Sequence, residues 1–410
     1  MIKILALLLV STLAHADIYT RNLLPFGEME AFTGNTGTGG GLLSSSAVYY
    51  NPAVLTQIEE PRLAVSATSY VQSVISAEYT FSKDFNNLPF RVSSFQSVPG
   101  TVASVFHGKD FTWAYFILVP ESLQSDAQFS FGSSETEISS FSKQSANDIW
   151  GGLSGAIPLS ENFSLGATFF AARHELSLIN TQNVSFKTKP NTAAFSQSYF
   201  SGSSIEVSCI LGLSYRLASW ANLGLRVQSP FLHIIGNGSG TISVNKVENG
   251  ILSQTGSHED SLDVNYQLPL DFTLGGTFWL TDKIQVLVDT SLQTPLTYNS
   301  IEKSNQFANR QSTRLTPRFN LGGLYHLRPD FSLQGGFYAI PSAAKELSDG
   351  DSSASTFYGT TLGASYLAGR VKSSLGAFFI WSNHDSQNAL YTMNLKTRVY
   401  GALLTVAYLL

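Results

Sequence analysis

From Ile205 to Leu217 the chain changes character at every residue. Ile205, Val207, Cys209, Leu211, Leu213, Tyr215 and Leu217 are apolar, while Glu206, Ser208, Gly212, Ser214 and Arg216 lie between them. A period of two puts successive side chains on opposite faces of an extended strand, so one face is greasy and the other wet. The pattern recurs at Leu315, Phe319, Leu321, Tyr325 and Leu327 against Thr316, Arg318, Asn320, Gly322 and His326. Ile284, Val286 and Val288 against Gln285 and Asp289 repeat it, as do Leu268, Leu270, Phe272, Leu274 and Phe278 against Asp271, Thr273 and Thr277.

A soluble β-sandwich would also alternate, but its wet faces would carry more Lys and Glu. Here 43% of residues are hydrophobic and only 13% are charged, about half the charge of an ordinary soluble domain. After the amino terminus no apolar run reaches the roughly 20 residues of a membrane-spanning helix. Apolar content dispersed over short alternating segments fits a transmembrane β-barrel, whose outer face meets lipid and whose closed sheet satisfies every backbone group. The expected fold class is therefore all-β, a transmembrane antiparallel barrel of about 14 strands.

The segments behind that count run roughly over 62–81, 99–107, 111–120, 146–158, 162–179, 204–217, 222–235, 267–280, 283–294, 314–327, 331–341, 356–367, 370–381 and 397–410. Between them, short connections (His107 to Asp110, Leu159 to Glu161, Ala218 to Ala221, Thr281-Asp282, Arg328 to Asp330, Ala368-Gly369) take turns with long polar ones. Glu121 to Ser145, Asn180 to Ser203 and Gly236 to Tyr266 are expected as long loops. Outer-membrane barrels have this asymmetry, with short turns in the periplasm and long loops outside. An even strand number puts both ends on the periplasmic side. In the closing strand Tyr400, Leu404, Val406, Tyr408 and Leu410 share a face.

Residues 1–16 have the three parts of a secretory signal peptide: Lys3, an apolar run from Ile4 to Ala14, and the small-residue site Ala14-His15-Ala16. Cleavage there would start the mature chain at Asp17. Asp17 to Glu60 does not alternate, and contains the Gly-rich stretch Gly34 to Gly41 followed by Leu42 to Leu55. Such a segment needs somewhere to pack, and the barrel lumen is the available space. The expected division is thus 1–16 signal peptide, 17–61 plug and 62–410 barrel.

The run Ala31-Phe32-Thr33-Gly34, with Ser44-Ser45-Ser46-Ala47-Val48-Tyr49-Tyr50-Asn51-Pro52-Ala53-Val54-Leu55 after it, resembles the amino-terminal hatch of the FadL-type long-chain fatty acid and aromatic hydrocarbon transport proteins of the outer membrane. In that family an Asn-Pro-Ala turn follows a Tyr- or Phe-containing approach, and Tyr50, Asn51, Pro52 and Ala53 match it. Leu268-Pro269 with the hairpin through Thr281-Asp282-Lys283, and Arg318 to Phe337 with its Arg328-Pro329-Asp330 turn, resemble the family too. The resemblance implies a fourteen-stranded barrel plugged by a hatch, with Tyr50, Asn51, Pro52 and Ala53 as ligand-binding or gating residues. There are departures: the family usually has Gly where Val54 stands, and such barrels usually end in Phe rather than Leu410, with Tyr408 the nearest aromatic here.

A carrier of amphiphiles needs an apolar lumen and a cation or hydrogen-bond donor for the head group. By alternation the inward-facing basic residues are Arg216, Arg226, Arg318 and Lys372, with His326 near them in pattern. Their ordinary role would be to pair with lumenal Glu206, Asp271 and Asp289, because charge inside a barrel needs a partner. The Gly-rich run lacks the Lys-Ser/Thr of a phosphate loop, and no Gly-x-Ser-x-Gly elbow is present. His258-Glu259-Asp260 and Asp349-Gly350-Asp351 match no calcium-loop spacing. One Cys, Cys209, excludes an internal disulfide framework, and the net charge of −5 gives no reason to expect nucleic acid.

The reading from sequence is a non-enzymatic outer-membrane protein for passive uptake of long-chain fatty acids or other hydrophobic compounds. It is expected to be a monomer among outer-membrane lipids, without cofactor or metal. The alternative is a non-specific or structural porin or surface antigen displaying its long loops. An outer-membrane hydrolase would need Ser and His facing one another.

Overall fold

The computed structural model describes residues 23–81, 88–98, 100–132, 136–189, 191–302, 304, 306–307, 309–345, 355–387 and 391–410. Residues 1–16, expected from sequence to be a signal peptide, lie outside the described residues. The chain forms a 14-strand closed antiparallel barrel. Its wall strands are β1 (Arg62–Phe81), β2 (Leu88–Val98 and Val102–His107), β3 (Thr112–Gly132), β4 (Thr136–Pro158), β5 (Phe163–Phe186), β6 (Ala193–Ala218) and β7 (Ala221–Gln228 and Leu232–Glu248). Then follow β8 (Ile251–Val264 and Asp271–Thr281), β9 (Ile284–Gln293 and Thr297–Glu302), β10 (Asn309–Ser312 and Thr316–Arg328), β11 (Phe331–Ile340), β12 (Phe357–Ala368), β13 (Val371–Gln387) and β14 (Tyr391–Leu409). Each pairs with its chain neighbour, and β1 closes on β14 from Arg62↔Leu409 to Phe81↔Tyr391. Closure leaves no open sheet edge in the lipid.

The two faces follow the alternation. Phe169, Leu153, Leu274, Leu362 and Leu375 are more than 60% exposed, whereas Thr168, Ser154, Thr273, Thr361 and Ser374, their immediate neighbours in sequence, are buried. A water-soluble sheet would bury the first set; here lipid covers it. Cys209 pairs with Phe169 on the lipid side.

The long polar connections expected from sequence are corrected by the structure. Glu121 to Ser145, Asn180 to Ser203 and Gly236 to Tyr266 are largely strand: β3 pairs with β4 up to Gly132↔Glu137, β5 with β6 up to Ser185↔Ala193, and β7 with β8 up to Glu248↔Ile251. Above the lipid both faces of a strand meet water, so the hydrophobic alternation stops while the hydrogen-bonded ladder continues.

Leu268 is also corrected: it is not on the lipid face but 3% exposed in the lumenal cluster. The ladder breaks between Val264 and Asp271, around Pro269, and the break resets the phase. In the adjacent β7 a break around Pro230 does the same and turns Phe231 inward.

Residues 23–60 lie within the ring of strands and are buried over most of their length. Only short helical turns form there, Glu30–Phe32, Ala47–Tyr50 and Pro52–Gln57. Gly40 and Gly41 take the left-handed φ values +82° and +84° that let the backbone double back. A girdle of wall glycines receives this segment. A Cβ on Gly166 would overlap Pro52 and Ala53, on Gly212 Asn51, on Gly224 Thr38, on Gly322 Thr33, on Gly336 Gly34, and on Gly363 Phe32. Glycine is needed here for close approach of two backbones.

Candidate functional site

Asn51 opens the Pro52–Gln57 turn in an extended conformation, with Pro52 in the first helical position, where its missing N–H costs nothing. The Asn51 side-chain oxygen accepts from Ala53 N at 3.1 Å, which caps the turn. Its amide nitrogen donates to the Thr38 carbonyl and to the Leu213 carbonyl on β6, each at 2.8 Å. One side chain thus joins the turn, the Gly-rich loop and the barrel wall. Ala53 is fully buried in front of Gly166, and Tyr50 donates to the Phe26 carbonyl at 3.1 Å and to Asn35 Oδ1 at 3.2 Å. Val54 takes an ordinary backbone conformation, so the turn does not need the family's Gly there; its side chain is buried in the apolar cluster.

Around most of the ring, polar wall groups hold this segment. Asp289 on β9 accepts from Gly37 N and Thr38 N at 2.9 and 3.0 Å, and Thr277 on β8 donates to the Gly40 carbonyl at 2.7 Å. Asn320 on β10 donates to the Gly34 and Asn35 carbonyls, and Thr361 on β12 to that of Phe32. Tyr338 on β11 reaches Leu23, and Thr168 on β5 reaches Val48. Backbone groups that would otherwise be buried without partners are satisfied by the barrel.

On the β2 to β4 side the contact is apolar. Val48, Val54, Leu55 and Ile58 pack on Ala103, Val105, Ala114, Phe116 and Leu118. Beside them stands an aromatic cluster: Trp150 and Phe170 stack at 4.6 Å, Phe231 meets both edge-on at 5.5 and 6.0 Å, and Tyr49 leans on Trp150 at 5.7 Å. Such rings offer large apolar surface in preferred geometries. Sequence reasoning missed this cluster. A signal was present, because Trp150 falls in phase with Asp148 and Ser154 on the wet face of β4, where an indole is out of place.

Polar pairs border the cluster. His174 Nδ1 is paired with Asp148 Oδ1, and the His174 ring stacks on Tyr266 at 3.8 Å. His233 lies 3.5 Å from both Glu206 and Asp263.

The structure does not bring the four basic candidates together. Arg226 and Arg318 border a cavity of about 60 Å³ on the outer side of the segment, with Phe26, Tyr49 and Tyr50. Arg226 pairs with Asp271 at 2.9 Å, donates to the Tyr49 carbonyl at 2.8 Å and lies 4.6 Å from the centre of the Tyr49 ring. Arg318 donates to Gln293 at 2.7 Å. Arg216 and Lys372, with His326, line a different cavity on the periplasmic side. Of the acidic loop motifs, His258 pairs with Asp260 at 2.9 Å, and Asp349 and Asp351 lie outside the described residues.

No curated protein matches the chain. Among solved structures, a FadL homologue from Pseudomonas aeruginosa is similar, with TM-score 0.64, 14% identity, and coverage of 97% of this chain and 100% of that one. The toluene transporter TodX of Pseudomonas putida gives TM-score 0.65 at 14% identity, covering 95% and 99% of the two chains. The toluene transporter TbuX of Ralstonia pickettii gives 0.57 at 15% identity, covering 93% and 98%. At these identities the likeness shows a shared fold. The family model for outer membrane protein transport proteins (OMPP1/FadL/TodX) matches residues 28–367, most of the barrel and nearly all of the described amino-terminal segment, and the chain belongs to that family.

Proposed function

We propose that this protein passes long-chain fatty acids or other hydrophobic small molecules inward across the bacterial outer membrane without an energy source, and that residues 17–61 act as its hatch. Family membership places the chain among outer-membrane transport channels rather than enzymes. The observation that carries the finer reading is the junction at Tyr49 and Tyr50. Phe26, Tyr49 and Tyr50 line a cavity of only about 60 Å³, and Tyr49 joins them to the aromatic cluster of Trp150, Phe170 and Phe231. A fatty acid or an arene is larger than that, so entry requires the segment to shift, and the aromatic surface supplies apolar contact for whatever enters. Tyr50, Asn51, Pro52 and Ala53 are the pivot of that shift in this reading, since they join the Gly-rich loop to the wall.

A segment seated across the lumen favours gated passage over a general diffusion porin. Two of the similar structures are toluene transporters, which supports a neutral arene as readily as a fatty acid. The test is saturable binding of a fluorescent long-chain fatty acid and of toluene to the purified protein, together with uptake into proteoliposomes. Deleting Asp17 to Glu60 should weaken binding and let small hydrophilic solutes leak. Failure to bind any fatty acid or hydrocarbon would sink the reading.

A further inference from the structure

On its periplasmic side the amino-terminal segment roofs a second cavity, of about 980 Å³. Its polar lining holds two buried donors that lack acceptors, on Arg62 and Gln285, and two further cations. Arg62 is 6% exposed; its Nη1 donates to the Leu43 carbonyl and lies 3.9 Å from Glu28 Oε1, but its Nε–H has no acceptor. Gln285 is 2% exposed and its Nε2 has no partner. Across the cavity stand Arg216, which is exposed, and Lys372, half-buried with Glu28 and Glu30 as its electrostatic neighbours; neither side chain makes a hydrogen bond or close ion pair among the described residues. The carboxylates at the cavity are Glu59 and Asp330, the latter held by Arg328 at 3.3 Å. Leu42, Leu43, Trp279 and Leu324 supply an apolar floor between the donors.

Buried donors without acceptors are costly, and a carboxylate that takes their hydrogen bonds relieves the cost with charge-assisted contacts. An inorganic anion would use the donors but leave the apolar floor wet. A neutral hydrocarbon would cover the floor but leave the donors unmet. We propose that this vestibule binds a small anionic amphiphile, a carboxylate or phosphate head on an alkyl or aryl tail, with the head among Arg62, Gln285, Arg216 and Lys372. Its service as a release station rests on the passage reading above; its binding of the amphiphile does not. The vestibule is separate from the outer cavity at Arg226 and Arg318, so a solute that carries a head group meets cations on both sides of the segment.

The experiment titrates octanoate, methyl octanoate, octyl phosphate and inorganic phosphate into the full mature protein in lipid nanodiscs, read by calorimetry. Octanoate and octyl phosphate should bind saturably, while methyl octanoate and inorganic phosphate should bind at least about tenfold more weakly, as expected when charged hydrogen bonds or the tail contacts are lost. Lys372→Gln and Arg216→Gln should each weaken octanoate binding about tenfold. Lys372→Arg should retain it, and Arg310→Gln, an exposed cation at the other end of the barrel, should leave it unchanged. Heat-modifiable migration on gels checks that each variant is folded.

Inorganic phosphate binding as tightly as octanoate would overturn the amphiphile assignment. Equal binding of the methyl ester, or full binding by the Lys372→Gln and Arg216→Gln variants, would overturn the site. Because the assay reads binding to the resting protein, a negative result alongside intact hydrocarbon uptake overturns the vestibule and leaves the passage reading standing.

Discussion

The amino-terminal segment meets the barrel in two unlike ways. Toward β8 to β12 it is tied by directional hydrogen bonds from Thr277, Asp289, Asn320, Tyr338 and Thr361. Toward β2 to β4 it rests on Ala103, Val105, Ala114, Phe116, Leu118 and Trp150, with apolar contact only in the core cluster. Hydrogen bonds fix register and lose most of their energy over a small displacement. Apolar contacts are non-directional and tolerate sliding, and a hydrophobic guest can replace them. The difference teaches which edge should part and which should act as the hinge: an apolar solute can wedge into the β2 to β4 side while the polar side keeps the segment attached.

The sharpest attack on this contrast is Trp150→Ala. Trp150 is fully buried between Phe170, Phe231 and Tyr49, and its removal should cost about 3–5 kcal/mol of packing. The thermal transition should fall, yet residues 23–60 should stay protected from protease, because their ties lie elsewhere. Protease sensitivity of the segment in this variant would break the comparison.

Asp289→Ala attacks the other side. Two buried backbone N–H groups, of Gly37 and Thr38, lose their acceptor, at a cost of roughly 2–4 kcal/mol. Here the segment itself should become protease-sensitive, and single-channel recordings should show openings absent from the wild type. A silent recording would mean that the hinge is not on this side.

Gly224→Ala should act in the same direction with a smaller effect, about 1–3 kcal/mol, because the new methyl group overlaps the Thr38 carbonyl and forces the loop away from the wall. An alanine at Gly155, where the added carbon meets nothing, is the matched control and should leave the recordings unchanged.

The smallest expected effect is with pH. Burial pushes the Glu30 carboxyl in the segment up to about 7 from its ordinary 4.5, against hydrogen bonds from Ser44 and backbone groups that favour the anion, and with Glu28 nearby adding repulsion. An acid whose value is raised in the seated state contributes stability that is complete below about 4.5 and lost as pH rises toward 7. The segment should therefore be held more firmly at pH 5 than at pH 8, seen as fewer channel openings. Glu30→Gln, which imitates the protonated acid, should flatten that dependence; an unchanged slope in this variant would assign it to another group.

Much of the wall was legible residue by residue. Leu315, Phe319, Leu321, Tyr325 and Leu327 are exposed to the lipid side, and Thr316 and Arg318 are buried toward the lumen, as their alternation requires. The upper halves of β3 to β8 were not legible, because strands that meet water on both sides carry no periodic hydrophobicity. Leu268 misled for a different reason: a phase read across Pro269 does not survive the break in the ladder. At the candidate site Arg226 and Arg318 could be placed on the inner face but not beside Tyr49 and Gln293, and nothing in the sequence separated them from Arg216 and Lys372.

What the chain determined by itself was local: that its segments are strands, which side of each faces lipid, and that the short turns lie at one end. Those properties depend on neighbours one or two residues away, and the period-two geometry of a strand transmits them directly. Only the closed tertiary structure decided what meets across the lumen. Registers between strands and the path of residues 23–60 set whether Asp289 reaches Gly37, whether Trp150 reaches Tyr49, and whether a cation lies above or below the segment. Those contacts join residues far apart in sequence and are fixed jointly by the closure of the whole ring.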